Sequence, residues 1–475
     1  MKKPFYIAFI AAFLALCLLP TAALLCGYEA ENRENRPLAR RASLFGRDGL
    51  NLSFPAEFDD YFEDHFGFRE EMVTAFHGLT MALLGDTLNE KVIVGKNGML
   101  FYSETLDDYL GRNLLSAEEI ARIAACLRIE QAWCEARGIA FTFSIAPNKN
   151  TVYPENMPSR LAPTRESGNR ERLYAALSEA GVPTVDFTAL LLAHKADGQL
   201  YHDRDTHWNE RGALLAYNAI MERVAAGAEA GAEYETYASL TPTTVYDGAG
   251  DLHNFVLPAL AGGRPEPDYG IESDFAYDEG ARPAQDTTFG TTSSANGVSL
   301  HLFRDSFGNA LLPLLSTNLG RVKYSAEFPY NYTLLNAETP DAVFVELVER
   351  NIKNLLAAAP LLPAHEMEAP ALAGMESGAA RLTQYRRGGY TQLAGCFDAA
   401  AQPERILVLL SQGDAAHCYE AFPILEEQAE ALADGMTAPR GFSLTLPERL
   451  SGEYEVTVLA DGVRYDAGTI TLADK

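Results

Sequence analysis

The chain has 475 residues, of which 47% are apolar and 10% aromatic, so it can build folded cores and is not wholly disordered. Its 38 basic and 65 acidic residues give a formal net charge of −27. A field of that sign repels nucleic acid and anionic membrane surfaces, so neither is expected as a partner. The length predicts two or three domains.

An uncharged segment from Phe5 to Cys26 follows Lys2 and Lys3 at the start of the chain. It is long enough to cross a bilayer, and its basic start is typical of an exported protein. No convincing small-residue cleavage site follows it, so we favour an uncleaved signal anchor over a cleaved signal peptide. We therefore expect residues 1–26 to be a single transmembrane anchor in the cell membrane and residues 27–50 to be a tether. The large domain would then lie outside the cytoplasm.

Helix and strand signals alternate over residues 51–360. Ser116 and Glu119 have the spacing of a capping box, and the helix that they begin ends at Gly138. Short apolar runs predict strands at about 139–146, 184–187, 298–303 and 341–345. Strands separated by helices predict an α/β domain with a parallel, doubly wound sheet. Residues 226–296 are rich in Gly, Ala and Pro and poorly periodic, so we expect an insertion there.

The pattern changes after residues 361–376, which contain prolines and are expected to be a linker. Residues 377–475 contain short alternating runs separated by turn residues. This pattern is typical of a β-sandwich, which we expect to be a candidate carbohydrate-binding domain.

The cysteines and histidines indicate neither a disulfide framework nor a zinc site. Cys126 and Cys134 are too far apart on one predicted helix to bond each other. Cys396 and Cys418 either pair or remain free, as both outcomes are compatible with an exported protein. No Cys/His spacing resembles a zinc site, so no metal or other cofactor is predicted.

Ser306 follows the predicted strand at 298–303 and precedes Phe307 and Gly308, where a helix is expected to run to about residue 316. A serine there projects at the carboxyl edge of the sheet, where α/β folds place their chemistry. Backbone N–H groups at the start of a helix can also hold an oxyanion. Serine is equally common as a helix N-cap, so the sequence leaves both interpretations open.

Asp205, His207 and Trp208 lie together at the start of another predicted helix. In an extended loop, residues two apart point the same way, so the carboxylate can fix the tautomer of the imidazole. The other ring nitrogen would then face the serine. The alternative is a polar loop beside a packed tryptophan. His202 and Asp203 compete for the same roles and rank second.

Several further residues are candidates for substrate binding: Lys149, Tyr153, Trp208, Asp251 and Arg350. A cation at position 149 can orient a substrate or the loops around the site, and a solvated turn lysine explains it equally well. The insertion is expected to return Asp251 toward the site. At Glu346, Glu349 and Arg350 we favour an internal ion pair that supports the edge of the sheet.

Together, these segments resemble the DHHW family, relatives of the alginate O-acetylation proteins with SGNH-hydrolase-like domains. The matching stretches cover roughly residues 30–350 in order: ENRENRPLA, YFEDHFGFRE, VGKNGMLFY, IAPNKNTVYPE, RDTHWNERGA, GAGDLHNFV, FRDSFGNALLPLL and PDAVFVELVER. The chain departs from the family pattern at Thr206, where the family name implies histidine, and at Arg304, where related enzymes commonly have glycine.

The resemblance implies an SGNH-hydrolase-like sheet with a permuted motif order, in which the Asp/His loop precedes the serine. It implies that Ser306 accepts an acetyl group, that His207 is the general base and that Asp205 orients the imidazole. The acetyl group would pass to a hydroxyl of a cell-surface polysaccharide, after delivery by a membrane-bound O-acyltransferase partner. Two other functions remain open: a carbohydrate esterase that uses the same triad, and a non-catalytic envelope protein that binds glycan.

Overall fold

The computed structural model describes residues 2–28, 38–46, 49–163, 167–227, 233–248 and 250–472. Its helices are α1 (Lys2–Leu25), α2 (Phe54–His65), α3 (Arg69–Leu84), α4 (Leu106–Leu110), α5 (Ala117–Glu135), α6 (Lys149–Val152), α7 (Asn169–Glu179), α8 (Phe187–His194), α9 (Glu210–Gly227), α10 (Asp251–Val256) and α11 (Leu312–Asn318). Its strands are β1 (Phe45–Gly46), β2 (Gly49–Leu50), β3 (Val92–Val94), β4 (Leu100–Tyr102), β5 (Ala140–Ala146), β6 (Thr184–Val185), β7 (Thr243–Asp247), β8 (Arg264–Asp268), β9 (Ala276–Tyr277), β10 (Thr288–Thr292), β11 (Ser299–Phe303), β12 (Arg321–Ser325), β13 (Ala342–Val348), β14 (Glu366–Met367), β15 (Glu376–Arg387), β16 (Tyr390–Asp398), β17 (Ile406–Gln412), β18 (Ala415–Glu420), β19 (Pro439–Thr445), β20 (Gly452–Ala460) and β21 (Val463–Leu472).

The predicted anchor corresponds to α1, and the predicted tether at 27–50 falls partly outside the described residues. Within the described part of the chain, Lys3–Leu25 is the one helix that is long and apolar enough to cross a membrane, with a mean hydropathy of 2.5. That judgement rests on length and composition, and a signal sequence has the same features.

A seven-stranded sheet with the order β6-β5-β13-β11-β12-β10-β9 forms the centre of the α/β domain. The five strands β6, β5, β13, β11 and β12 run parallel to one another. At one edge of the sheet, β10 is antiparallel to β12, and β9 is antiparallel to β10. Helices α8, α9 and α11 share one hydrophobic core with the sheet, and α5 and α7 share another. Successive side chains of β11 alternate between these cores, as Leu302 and Phe303 do. The predicted doubly wound sheet is confirmed.

The structure corrects part of the predicted insertion at 226–296. Strands β9 and β10 lie within it and extend the main sheet, and β10 pairs with β12 along its whole length. The sequence TFGTT of β10 has only one large apolar side chain, so it lacks the pattern of a buried strand.

The helix predicted to begin at Phe307 also differs from the prediction. It is a short 3₁₀ helix over Ser306–Asn309, followed by α11 with Pro313 in its first turn.

The C-terminal β-domain predicted from the sequence is confirmed. Its eight strands have the order β14-β18-β17-β20-β21-β15-β16-β19 and surround one hydrophobic core. They belong to a single sheet that curls on itself. Phe422, just beyond β18, exchanges two backbone hydrogen bonds of 2.8 and 2.9 Å with Ser443 on β19, which brings these two strands together. Cys396 and Cys418 are both free, so the structure contains no disulfide between them.

Helix α5 joins the two domains. Its Ser116 and Glu119 form the predicted capping box, which fixes the start of the helix. Along the helix, Trp133 donates from Nε1 to the carbonyl of Pro363 at 2.7 Å, and Arg128 pairs with Glu420 at 2.5 Å. The same helix therefore packs on the central sheet and contacts the C-terminal domain.

Candidate active site

Ser306 lies where β11 leaves the carboxyl edge of the sheet. Asp305, not Ser306, caps the 3₁₀ helix that follows: its Oδ1 accepts from the backbone N–H of Phe307 at 2.9 Å. Its Oδ2 accepts from the N–H of Val348 at 2.7 Å, which ties the turn to the end of β13. The capping role that the sequence left open for the serine is thus filled by its neighbour. The Ser306 side chain is exposed at the surface.

The loop from β-bridge residue Tyr201 to Trp208 brings His207 to the serine. Nε2 of His207 lies 2.8 Å from Oγ of Ser306, and Nδ1 lies 2.7 Å from Oδ1 of Asp205. Because an ionised carboxylate only accepts hydrogen bonds, the neutral imidazole carries its proton on Nδ1. Nε2 is then free to accept from the serine hydroxyl. The three residues that the sequence placed together are in hydrogen-bonding range.

The pKa of Asp205 reflects this contact. Burial raises the pKa of this carboxyl, but the hydrogen bond and the charge of His207 outweigh burial and hold the pKa well below its usual value. The backbone N–H of His207 also donates to Oδ1 at 2.9 Å. Asp205 is therefore ionised at neutral pH, and both the ring and the backbone N–H of His207 hold its carboxylate in place.

Asp251, the first residue of α10, reaches the same loop from the predicted insertion. Its Oδ1 accepts from the N–H of Thr206 at 2.8 Å, and its Oδ2 accepts from the Thr206 hydroxyl at 2.6 Å. Its own N–H donates to Oδ2 of Asp205 at 2.9 Å. Burial and the charge of Asp205 raise the pKa of Asp251. Among the described residues, Asp205, His207 and Asp251 are also the group spaced to hold a metal ion, with ligand atoms within 4.8 Å of one another.

Lys149 lies beneath the loop rather than in solvent, because α6 turns its side chain inward. The side chain is buried, and Nζ donates to the carbonyls of His202, Asp203 and Asp205 at 2.9, 3.0 and 2.7 Å. Burial lowers the pKa of Lys149 to about 8, although the negative charge of Asp205 opposes the shift. The structure thus places this cation under the Asp/His loop and does not aim it at a substrate.

Tyr153 and Trp208, both predicted to bind substrate, are instead core residues. The Tyr153 hydroxyl accepts from the N–H of Leu200 at 2.9 Å. The Trp208 ring is fully buried, and its Nε1 donates to the carbonyl of Phe307 at 3.1 Å. Large aromatic rings with a polar tip fill a core when a backbone partner is available, which is the case for both. We correct the prediction accordingly.

Arg350 is the predicted substrate-binding cation that lies beside the serine. Its guanidinium carbon is 5.8 Å from the centre of the Phe307 ring and 5.6 Å from that of Tyr102. Within the residues that the structure describes, no carboxylate pairs with it. Burial, followed by a hydrogen bond to Glu104, raises the pKa of Tyr102 to about 12. Tyr102 was not predicted to lie near the site, although it ends the stretch VGKNGMLFY, which resembles the family.

Of the three residues expected to form an ion pair near the end of β13, Glu349 forms one, with Arg170. Its Oε1 lies 3.3 Å from Nε of Arg170, and its Oε2 accepts from the N–H of Asn148 at 2.8 Å. Glu346 is buried next to Asp305, whose N–H donates to it at 3.2 Å. Burial and the nearby negative charge of Asp305 raise the pKa of Glu346 well above its usual value.

His202 and Asp203, the second-ranked alternatives, are engaged elsewhere. Nδ1 of His202 lies 2.9 Å from Oε1 of Glu266, and Asp203 pairs with Arg264 at 2.7 Å. Both partners lie on β8, which the sequence did not predict. These pairs join the loop to the β7–β8 hairpin.

Comparison with known proteins agrees with the motifs. The model of the family described as "SGNH hydrolase-like domain, acetyltransferase AlgX" matches residues 92–318, which include Asp205, His207 and Ser306. Two proteins named "probable alginate O-acetylase AlgJ" are similar. The protein of Pseudomonas syringae pv. tomato is 24% identical over 56% of this chain and 65% of its own length. That of Azotobacter vinelandii is 23% identical over 51% of this chain and 62% of its own length, so both matches span less than two thirds of the relative.

Two solved structures match just over half of this chain at low sequence identity. The O-acetyltransferase domain of Pseudomonas putida AlgJ is 20% identical, with a TM-score of 0.39, and the match covers 55% of this chain and 92% of that one. A DHHW family protein from Eubacterium siraeum is 17% identical, with a TM-score of 0.38, and the match covers 56% and 96%. Residues 92–318 therefore resemble an SGNH hydrolase-like domain, and the chain is similar to proteins named alginate O-acetylase, as its motifs predict.

Proposed function

We propose that this chain is a membrane-anchored O-acetyltransferase that transfers acetyl groups to hydroxyls of a cell-surface polysaccharide outside the cytoplasm. The observation that carries the proposal is the hydrogen-bonded row from Asp205 through His207 to Ser306, at 2.7 and 2.8 Å. The printed names of the relatives support acetyl transfer to a polysaccharide. Helix α1 supports the anchor.

In the proposed reaction, Ser306 is the nucleophile and His207 is the base. As Oγ attacks the acetyl carbonyl, its proton moves to Nε2 of His207, which passes it to the departing group of the donor. A sugar hydroxyl then attacks the acetyl-serine, gives its proton to the same nitrogen and leaves with the acetyl group, so that Ser306 recovers its proton. Asp205 stabilises the imidazolium in both steps. The backbone N–H of Ser306 is the candidate donor to the oxyanion.

The remaining parts of the chain are assigned roles on the same hypothesis. We assign residues 1–26 to the anchor, 27–50 to the tether, 51–360 to catalysis and 361–376 to the linker. The curled β-domain at 377–475 would contact the glycan. A membrane-bound O-acyltransferase partner would supply the acetyl group, an assignment that rests on the resemblance alone.

The proposal is tested by trapping the acyl-enzyme on the full-length chain in detergent. Incubation with p-nitrophenyl acetate, followed by peptide mass spectrometry, should locate an acetyl group on Ser306. The variant Ser306→Ala should show none. Ser451→Ala, which changes an exposed serine of the C-terminal domain, should react like the wild type. Wild-type acetylation in Ser306→Ala would overturn the proposal.

A second experiment separates transfer from hydrolysis, because the same triad serves an esterase. The acetylated enzyme is mixed with a soluble polysaccharide acceptor or with buffer, and both free acetate and glycan-bound acetyl are measured. A transferase should release little acetate in buffer and should accumulate acetylated glycan. Equal acetate release in both mixtures, with no acetylated glycan, would identify an esterase.

A further inference from the structure

Helix α3 differs from an ordinary surface helix in that its buried side chains are polar and several of its large apolar side chains are exposed. Its buried residues are His77 and Thr80, which both contact the carbonyl of Thr87, at 2.6 and 3.1 Å. Its outward side carries Phe76, Leu79 and Leu83, which are 53%, 59% and 72% exposed. Residues at this spacing share one face of a helix. The buried side chains of the helix are thus polar, with Met81 partly buried against a small core, while three large apolar side chains are exposed.

The segments that precede α3 in the chain also carry exposed or half-buried apolar side chains. Helix α2 has no buried residue, although the rings of Phe54, Phe58, Phe62 and Phe66 stack in series along it, 5.8 to 6.3 Å apart. Leu50, at the end of β2, is also largely exposed. Clustered exposed apolar side chains mark an interaction site rather than the ordinary surface of a soluble protein. We call the set of Phe76, Leu79 and Leu83, which share one face of α3, the apolar face.

The position of the apolar face indicates what covers it. The N–H of Gly67, two residues before α3, donates to the carbonyl of Pro20 in α1 at 3.1 Å. The ring of Phe68 stacks on that of Tyr28, just beyond α1, at 5.2 Å. Helix α3 therefore begins beside the end of the candidate membrane span. From residue 72 to residue 85 it carries no Asp, Glu, Lys or Arg.

We propose that the apolar face is a membrane-binding surface that lies in the interfacial layer of the same bilayer that α1 spans. This inference rests on the anchoring part of the proposed function. The acidic residues of α2, such as Asp59 and Asp60, are exposed, so attraction to anionic lipid does not contribute. Burial of apolar side chains drives the contact, which therefore occurs on zwitterionic lipid and is insensitive to salt. The contact holds the α/β domain against the membrane at a second place besides the anchor.

Site-directed spin labelling tests this proposal on the full-length chain in phosphatidylcholine nanodiscs. Exposed Cys17 and Cys26 are first replaced by alanine, and a nitroxide is attached to Leu79→Cys or Leu83→Cys. Asp60→Cys, on the acidic side of α2, is the matched control. The labels at 79 and 83 should be several-fold more accessible to oxygen than to a water-soluble nickel complex, and the label at 60 should show the reverse. Raising the salt concentration should change none of these ratios.

Two results would overturn the inference. Equal access of the nickel complex to all three labels would show that the apolar face lies in water. Spin–spin broadening between labels at position 79 would show that a second copy of the chain covers it. Neither result affects the acetylation of Ser306 by p-nitrophenyl acetate, which is measured on the same labelled chains. Acetylation of Ser306 also shows that the labelled chains are folded. Absence of this acetylation in the unlabelled wild type would contradict the proposed function and would not bear on the membrane contact.

Discussion

The indole Nε1 of Trp208 donates a hydrogen bond to the carbonyl of Phe307 at 3.1 Å. Each of these two residues directly follows one member of the pair His207 and Ser306, and the two rings are in edge contact at 5.1 Å. The bond therefore joins the two loops from beneath, although about a hundred residues of chain separate them. We expect the spacing between the imidazole and the hydroxyl to depend on this buried contact.

Replacement of Trp208 by phenylalanine should lower both stability and acylation. We expect the free energy of unfolding to fall by about 1–3 kcal/mol, because the Phe307 carbonyl loses its partner and part of the ring volume is lost. Denaturant titration and the rate of Ser306 acetylation measure the two effects. Trp133→Phe is a matched control, since that indole also donates to a buried carbonyl but lies beside Pro363. It should lose stability while its acylation rate is retained. Acylation at the wild-type rate in both variants would contradict the prediction.

Lys149→Met should disorder the Asp/His loop. The variant removes the donor shared by three backbone carbonyls and should cost about 1–3 kcal/mol of stability, together with most of the acylation rate. Lys323→Met is the control, because the side chain of that lysine makes no ion pair or hydrogen bond within the described part of the chain, and its backbone pairing in β12 is kept. It should be neutral in both assays. Unchanged acylation in Lys149→Met would show that the lysine does not position the loop.

Asp205→Asn and Asp251→Asn should differ in the size of their effect on acylation. An amide at 205 no longer fixes the imidazole tautomer, so we expect a loss of about 10³- to 10⁴-fold, as in other catalytic triads. An amide at 251 still accepts from Thr206, so we expect a loss of about tenfold, the scale of supporting contacts. Single-turnover acetylation of Ser306 measures both. A larger loss in Asp251→Asn would reverse the assigned roles.

Arg350→Gln should weaken glycan binding without slowing the first chemical step. The guanidinium is held against Phe307 and Tyr102 and is available to bind a polar or anionic group of the acceptor. We expect the KM for the acceptor polysaccharide to rise about tenfold, the loss of one charge-assisted hydrogen bond, while acylation by p-nitrophenyl acetate is retained. Arg112→Gln, at an exposed arginine, should change neither value. An equal loss of acylation would place Arg350 in the first step instead.

Glu130 should make the stability of the protein depend on pH. Burial raises the pKa of this carboxyl from 4.5 to about 8, against the effect of the hydrogen bond that it receives from Tyr332 at 2.6 Å. Between these values the folded chain binds more protons at this site than the unfolded chain. Its contribution to stability is therefore fully present below pH 4.5 and is lost as the pH rises toward 8.

Chemical denaturation from pH 5 to pH 8 measures this effect. Glu130→Gln should remove a slope of up to about 1.4 kcal/mol per pH unit, because the amide does not ionise. Glu135→Gln, at an exposed position on the same helix, should leave the slope unchanged. An unaltered pH profile in Glu130→Gln would contradict the assignment.

Local features of the sequence were sufficient to predict the doubly wound sheet, the capping box of α5 and the C-terminal β-domain. Each of these depends on periodicity or on residues a few positions apart. The candidate triad was also predictable, because Ser306 follows β11 at the carboxyl edge of the sheet, and Asp205 and His207 lie two residues apart just before α9. The catalytic role of these residues remains a prediction.

Other features depend on contacts between residues far apart in the chain, and only the tertiary structure decides them. The amino-acid sequence does not show that Asp305 caps the 3₁₀ helix, that Lys149 points inward or that Tyr153 and Trp208 are core residues. It also does not show that the insertion supplies two strands of the main sheet, β9 and β10. A side chain is buried or exposed according to which backbone groups approach it, and those groups come from distant segments. The sequence by itself therefore indicated which residues are candidates for the chemistry, and the packing decided which of them lie together and which lie beneath them.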